Sequence, residues 1–177
     1  KEEEIQGLIL DLRNNPGGLL TAAVGVSEQF LESGKMVVSI KGRNGREDEY
    51  LARLNGEEFK FPMIILVNQG SASASEIVAA ALQDWGKAVI IGKTTFGKGS
   101  VQTILPLDDS SGLKLTTAKF YSPNGKNHSK VGVEPTITIP ESEELSTYFR
   151  GPTRFNPSED VVLQKGIEVL RQNLVQR

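Results

Sequence analysis

Short, continuous apolar runs alternate along the first half of the chain with segments whose apolar residues recur at helical spacing. Apolar runs of about four to eight residues that are bounded by turn residues are typical of strands buried on both faces. The runs of this kind are 5–12, 36–40, 63–67 and 88–91. The helical patterns lie between them, at 19–30 and 73–84. This alternation predicts an α/β fold with a largely parallel sheet.

The second half of the chain continues with strand-like runs and ends in a predicted helix. Residues 141–155 are polar and irregular, and we interpret them as a linker. The sequence at 156–159, Asn-Pro-Ser-Glu, is typical of a helix start. We therefore expect a core at 1–140, a linker, and a C-terminal helix within 156–177. The strand-like runs that turn residues separate are 101–105, 113–121 and 133–139.

The composition excludes several kinds of site. The chain has 177 residues and a net charge of −2, so no strong field favours nucleic acid or an anionic membrane. It contains no cysteine, which excludes a thiol nucleophile. Its single histidine, His128, excludes a multi-histidine metal site, and we expect no metal or other cofactor. Because His128 stands in a polar turn, we predict a solvated surface position for it.

Residues 92–100 read GKTTFGKGS and contain most of a phosphate-binding loop that ends at Lys98. Such a loop needs a Ser or Thr directly after its lysine and a helix whose N terminus faces the phosphates. Here Gly99 follows the lysine, and the next residues are strand-like and lead into Pro106. A nucleotide-binding protein therefore remains an alternative that this context does not support.

A second interpretation uses the strand–helix–strand unit at 63–91. Such a unit is right-handed and has parallel strands. The carboxyl ends of both strands then lie at one edge of the sheet, where open α/β sheets place their sites. Ser73 follows the first strand and Lys98 follows the second. The sequence therefore predicts that a serine and a lysine meet in one crevice.

The chemistry of a serine nucleophile fits this placement. A serine hydroxyl attacks only when a base takes its proton, and a lysine can do so only when it is uncharged. We expect apolar neighbours, Phe96 and Val101, to shield Lys98 from water and so disfavour its ammonium form. The backbone amides of Gly18 and Ala74 are placed to stabilise a developing oxyanion.

Each of these segments also has a purely structural interpretation. Residues 73–76 form a capping box, residues 97–99 a turn, and residues 15–18 a tight turn before a helix. Asp84 can simply close its helix, and Gln102 can lie on the solvent face of a strand. The functional hypothesis depends on the joint occurrence of these segments in this order.

Taken together, the segments resemble the carboxyl-terminal processing peptidases, also called tail-specific proteases. The resemblance covers roughly residues 5–140 in unbroken order. The matching segments are GLILDLRNNPGG (7–18), ILVNQGSASASEIVAAALQD (65–84), IIGKTTFGKGSVQT (90–103), LKLTTAKFYSPNG (113–125) and VGVEPTI (131–137).

The resemblance implies a serine endopeptidase with a ClpP/crotonase-like α/β core and additional strands after the catalytic lysine. Such an enzyme cleaves proteins near their C termini through an acyl-enzyme and needs no cofactor. The roles that the motifs carry over are a nucleophile at Ser73, a base at Lys98, a residue orienting that base at Gln102, oxyanion donors at Gly18 and Ala74, and structural support at Asp84.

The resemblance also implies partners and a location. The substrate is a protein or peptide with an accessible C terminus, not a nucleic acid, and an upstream PDZ domain is expected in the full-length protein. A homo-oligomer stays open, and any membrane association would use regions outside this chain. The implied location is extracytoplasmic, in the bacterial periplasm or cell envelope or in the plastid lumen. The alternative is a catalytically silent binding or assembly module, against which Ser73, Lys98 and Gln102 together argue.

Overall fold

The computed structural model describes residues 5–43, 45–53, 59, 61–140 and 156–175. The strands within these ranges are β1 (Leu8–Asp11), β2 (Met36–Gly42), β3 (Glu47–Leu51), β4 (Met63–Val67), β5 (Ala88–Gly92), β6 (Ser100–Pro106), β7 (Gly112–Tyr121) and β8 (Ile137–Thr138). The helices are α1 (Leu20–Ser27), α2 (Ala74–Asp84) and α3 (Val161–Val175). Among the described residues, no helix combines the length and apolarity that crossing a bilayer requires.

Four strands form a parallel sheet in the order β1-β4-β5-β8. Strand β4 pairs with β5 from Met63 opposite Ala88 to Val67 opposite Gly92, and β1 pairs with the other side of β4. The predicted strand–helix–strand unit is therefore confirmed. The carboxyl ends of β1, β4 and β5 share one edge of this sheet, which is where parallel sheets carry their sites.

The remaining strands form an antiparallel sheet in the order β3-β2-β7-β6. It contains the predicted strands after Lys98, β6 and β7, as a hairpin. The predicted run at 133–139 is longer than the strand that forms, since only Ile137–Thr138 pairs with β5. Pro135 lies within that run and lacks the N–H that a ladder needs. The mixed α/β architecture with a parallel sheet is confirmed.

Strand β4 is buried on both faces, which explains its unbroken apolar sequence. All five of its residues are at most 4% exposed. Met63, Ile65 and Val67 pack in a cluster with α1, α2 and β2. Ile64 and Leu66 point the other way, into a second cluster with α3. The alternation of side chains along one strand thus joins the two halves of the core.

Helix α3 begins later than the sequence predicts. Asp160, rather than Asn156, caps it, because the Oδ1 of Asp160 accepts a hydrogen bond from the Leu163 amide at 2.9 Å. Asn156 instead closes the turn before the helix by accepting from the Ser158 amide. Leu163 and Leu170, on one face of this helix, pack against the second core cluster. The expected linker at 141–155 lies outside the described residues.

Asp160 also fastens α3 to the loop that follows β1. The guanidinium of Arg13 donates to both oxygens of Asp160, at 2.9 and 2.7 Å, and binds Asp11 as well. The side chains of Arg13 and Asp160 are only 6% and 7% exposed. Burial alone would raise the pKa of Asp160, but the bonds from Arg13 and from the Leu163 amide outweigh it and hold that pKa below its ordinary value.

We predict that Asp160→Asn lowers the free energy of unfolding by about 2–4 kcal/mol, because the variant keeps the cap oxygen but leaves the buried Arg13 with less opposing charge. A urea titration at neutral pH measures the change. Glu168→Gln on the same helix is the control, since the pair of Lys165 and Glu168 is 37% and 52% exposed and its loss should cost less than about 0.5 kcal/mol.

The ion pair of Arg13 and Asp160 also predicts that the stability of the protein depends on pH. A carboxyl whose pKa is depressed on folding stabilises the native state above its unfolded pKa, and this stabilisation disappears as the pH falls through its folded pKa. The difference in stability between wild type and Asp160→Asn should therefore be complete above about pH 4 and shrink below it. Equal acid sensitivity of the two proteins would contradict this account of Asp160.

Candidate active site

Ser73 lies directly between β4 and α2 with a strained backbone. Its φ is 57° and its ψ is −116°, a combination that residues with a Cβ rarely adopt. Strain of this kind persists only where the surrounding structure imposes it, and it is concentrated at functional sites. The side chain is half-buried at the N terminus of α2. The serine is therefore presented on a sharp strand-to-helix turn, as nucleophilic serines of α/β enzymes are.

Glu76, one turn into α2, holds the serine turn and the lysine loop together. It is 4% exposed. Its Oε2 accepts from the amides of Ser73 at 2.8 Å and Lys98 at 2.9 Å. Its Oε1 accepts from the Gly97 amide at 2.7 Å and from the Thr95 hydroxyl at 2.5 Å. Because a backbone N–H can only donate, both oxygens of the Glu76 side chain act as acceptors for the two loops.

The backbone around Lys98 is closely covered by the loop at 127–132. A Cβ on Gly99 would lie 2.5 Å from the Ser129 amide nitrogen, and one on Gly97 would lie 3.0 Å from the Gly132 nitrogen. The Lys130 amide donates to the Gly97 carbonyl at 2.7 Å. The backbone therefore approaches closely at both glycines, where a side chain would clash.

The side chain of Lys98 does not have the shielding that the sequence analysis predicts. Lys98 is exposed, Phe96 is 67% exposed, and Val101 is only half-buried. That expectation is wrong, because two neighbours that are themselves exposed or only half-buried leave the lysine accessible to solvent.

The loop after β1 lies against the serine turn. A Cβ on Gly17, whose φ is +88°, would come within 2.5 Å of the Ala72 carbonyl oxygen and 2.6 Å of the Ala74 nitrogen. The Asn15 carbonyl accepts from the Ala72 amide at 3.0 Å. Space beside Gly18 is open. Within the described residues, no acceptor takes the amide hydrogen of Gly18 or of Ala74, so both amides are available to an incoming oxyanion.

Ser73 and Lys98 line the same cleft, which we name the serine cleft. The space between its walls, counted together with adjoining open solvent, is about 320 Å³. Its walls come from α2, β2, the end of β7 and the loops at 97–99 and 127–132. The residues that line it are Val37, Val38, Ser73, Glu76, Ile77, Ala80, Lys98, Gly99, Phe120, Tyr121, Ser122 and His128.

The predicted surface position of His128 is wrong. It is half-buried in the serine cleft, and its Nδ1 lies 3.0 Å from the Gly132 carbonyl oxygen. The polar composition of its turn suggested solvent, but that turn is packed over the glycines at 97 and 99. Among the described residues, its Nε2 is a buried nitrogen with no hydrogen-bond partner.

Two of the predicted residues lie outside the serine cleft. Gln102 is exposed on β6, directly after an irregularity in the pairing with β7. The side chain of Gln102 makes no hydrogen bond to another described residue. Asp84, at the end of α2, accepts from the Asn124 amide at 2.9 Å and so holds the turn that follows β7.

The alternative of a phosphate-binding loop is contradicted by the element after Lys98. Strand β6 begins at Ser100, so the loop leads into a strand and not into the helix that a phosphate-binding loop requires. Nor do the described residues contain a group of His, Asp or Glu side chains that could hold a metal ion.

Sequence reasoning missed two features of this site. Glu76 was visible only as the last residue of a capping box, and no local signal indicates its bonds to the lysine loop. Ser122 stands in the serine cleft with an unpartnered hydroxyl, yet its sequence context, Ser-Pro-Asn-Gly, indicates only a turn.

Comparison with known proteins assigns this arrangement to a family. The model of peptidase family S41 matches residues 1–139. A carboxy-terminal-processing protease of Bartonella bacilliformis is 48% identical over 153 residues, covering 84% of this chain and 34% of that protein. Carboxy-terminal processing protease CtpB of Bacillus subtilis is 39% identical over 146 residues, covering 82% of this chain and 30% of that protein. The solved structure of a photosystem II D1 C-terminal processing protease superposes with a TM-score of 0.71 at 41% identity, covering 76% of this chain and 35% of that one.

The fold and these relatives are thus those of a serine-type peptidase. The chain belongs to peptidase family S41, the family of the C-terminal processing serine proteases. It spans about a third of the length of the curated relatives that it matches.

We predict that Glu76→Gln disrupts the site although it conserves shape. The new amide group would face N–H donors where the carboxylate had accepted, and the free energy of unfolding should fall by about 2–4 kcal/mol. Urea titration measures this, with Glu134→Gln on an exposed residue as the control. Equal midpoints for the two variants would show that Glu76 does not hold the two loops.

Proposed function

We propose that this chain is the catalytic core of a serine endopeptidase in which Ser73 is the nucleophile and Lys98 is the general base. The observation that carries the proposal is the shared carboxylate of Glu76, which binds the amides of both residues. This bond fixes the start of the lysine loop beside the serine turn. Both side chains then border one cleft, as a nucleophile and its base must.

The reaction follows from this placement. The Oγ of Ser73 attacks the scissile carbonyl carbon while its proton moves to the Nζ of Lys98. The amides of Gly18 and Ala74 stabilise the oxyanion. When the tetrahedral intermediate collapses, Lys98 gives the proton to the leaving amine, and an ester to Ser73 remains. Lys98 then takes a proton from water, which attacks the ester and frees the serine.

Because Lys98 is exposed in the free protein, we propose that the bound substrate shields it from water. An ammonium group in water holds its proton, whereas one that is covered by apolar atoms gives it up more easily. An extended substrate lying over the serine cleft would exclude water from Lys98. This would favour the uncharged amine, which is the form that can accept the proton of Ser73. Gln102 would orient the lysine in that state, which requires β6 to shift at its irregularity next to Val101.

The substrates and context that we propose follow from the family. The substrate is a protein with an accessible, apolar C terminus, delivered by a PDZ domain upstream of this core. The substrate backbone would pair with a sheet edge next to the cleft. We place the protein outside the cytoplasm, in the bacterial envelope or the plastid lumen, and fractionation of the source cells tests this. The names of the relatives all denote proteases, which does not favour a catalytically silent module.

The decisive experiment removes the nucleophile and the base separately from the full-length protein. Ser73→Ala and Lys98→Ala should each reduce cleavage of an unfolded protein with an apolar C terminus by at least about a thousandfold. Lys98→Arg should be equally inactive, because a guanidinium does not lose its proton. Mass spectrometry of the products also locates the cut.

Two controls separate Lys98 from other cations and bases. Lys114→Ala, on the exposed β7 strand, should keep the wild-type rate. His128→Ala removes the imidazole that lines the same cleft. If this variant is inactive while Lys98→Ala remains active, the base is His128 and not Lys98. Cleavage by Lys98→Ala at the wild-type rate rules out the proposed dyad.

A further inference from the structure

Two loops meet beside Ser73, and each carries one of the proposed oxyanion donors. The loop after β1 carries Gly18, and the serine turn after β4 carries Ala74. A Cβ on Gly17, the residue bonded to Gly18, would lie 2.6 Å from the Ala74 nitrogen. The two loops are therefore in direct contact where the donors lie. Both amides can bind one oxygen atom only if the spacing between these loops is correct.

The side-chain amides of Asn14 and Asn68 join the same two loops. The Nδ2 of Asn68 donates to the Oδ1 of Asn14 at 3.1 Å. In return, the Oδ1 of Asn68 accepts from the Asn14 backbone amide at 2.9 Å. The same oxygen accepts from the Gly70 amide at 3.0 Å. Because a backbone N–H can only donate, these bonds fix which end of the Asn68 amide faces each partner.

The backbone also leaves little freedom at this contact. Asn14 has a φ of 57°, in the left-handed region that asparagine tolerates better than most residues with a Cβ. A Cβ on Gly70 would lie 2.6 Å from the Oδ1 and 2.8 Å from the Cα of Asn14. Asn68 itself is only 9% exposed. The amide pair and the close approach of Gly70 together determine how near the two loops come.

Other hydrogen bonds tie the loops together on either side of this pair. The Asn15 carbonyl accepts from the Ala72 amide and from the Ser75 hydroxyl, both at 3.0 Å. The Leu12 carbonyl accepts from the Ser71 hydroxyl at 2.7 Å. These bonds should keep the loops in contact when the amide pair is removed. Loss of the pair should therefore change the spacing of the loops more than it changes the stability of the fold.

We infer that Asn14 and Asn68 are positioning residues, which set the spacing between the oxyanion donors of Gly18 and Ala74. The inference rests on the proposed function and adds a determinant of its rate. The oxyanion forms only during the reaction, so a change in this spacing should slow the chemical step without weakening substrate binding.

The test compares Asn14→Gly with Asn14→Asp in the full-length protein, using an unfolded protein with an apolar C terminus as substrate. Glycine adopts the positive φ without strain and keeps the backbone amide, so Asn14→Gly loses only the side-chain bond. Its kcat should fall by about tenfold. The dissociation constant of the substrate, measured in a Ser73→Ala background, should change by less than about twofold. Asn14→Asp keeps an acceptor for Asn68 and should retain at least about half of the wild-type kcat.

A second variant and a matched control accompany this pair. Gly70→Ala keeps both amide groups but forces Asn14 away, so its kcat should fall at least as far as that of Asn14→Gly. Ser110→Gly is the control, because Ser110 also has a positive φ, 67°, but lies exposed at the tip of the β6–β7 hairpin. It should keep the wild-type kcat. Urea titration should give Asn14→Gly and Ser110→Gly midpoints close to that of wild type.

The outcomes separate the inference from the proposed function. A wild-type kcat in both Asn14→Gly and Gly70→Ala overturns the inference, and so does an equal loss in Asn14→Asp and Asn14→Gly. If Asn14→Gly fails to fold, or weakens substrate binding as much as it lowers kcat, the pair has a general structural role and the inference is also wrong. None of these results affects the peptidase function. If the wild type does not cut the substrate, the proposed function itself fails, and the inference with it.

Discussion

The carboxylate of Glu76 is the interaction on which the rest of the site depends. It is buried at the start of α2 and binds amides from the serine turn and from the lysine loop. Without a buried anion, these N–H groups would have to find other acceptors, and the two loops would have no common point. The strained backbone of Ser73 is maintained by the same contact. One side chain thus binds the backbone of both Ser73 and Lys98 and fixes the two loops relative to each other.

The parallel sheet provides the frame for this arrangement. Residues of β4 alternate between the two core clusters, so the strand that delivers Ser73 is fixed from both sides. On one side α2 continues from the serine, and on the other α3 packs and reaches the loop after β1 through Arg13 and Asp160. The loop that carries Gly18, the serine turn and the lysine loop therefore all follow strands of one sheet that is packed on both faces.

The sequence predicted the parts of this structure that local burial determines. The bounds of β4, α2 and β5 were predicted to within one residue. Continuous apolar runs between turn residues are buried as regular elements, whatever the rest of the chain does. The start of α3 was not, because Asp160 becomes the cap by virtue of a partner 147 residues away. For the same reason His128 and Lys98 were misplaced: whether a polar loop is covered depends on which distant segment packs on it. Motif resemblance predicts which residues carry the chemistry, but it could not indicate how exposed Lys98 is to solvent.

The bond between Arg13 and Asp160 also has a consequence for the order in which the protein is made. Synthesis proceeds from the N terminus, so the loop that carries Gly18 leaves the ribosome long before the helix that secures it. A nascent chain that ends before residue 160 lacks the carboxylate that anchors Arg13 to α3. The loop that carries Gly18 is therefore secured to α3 only after residue 160 has been made, although both the loop and β1 were synthesised near the start of this chain.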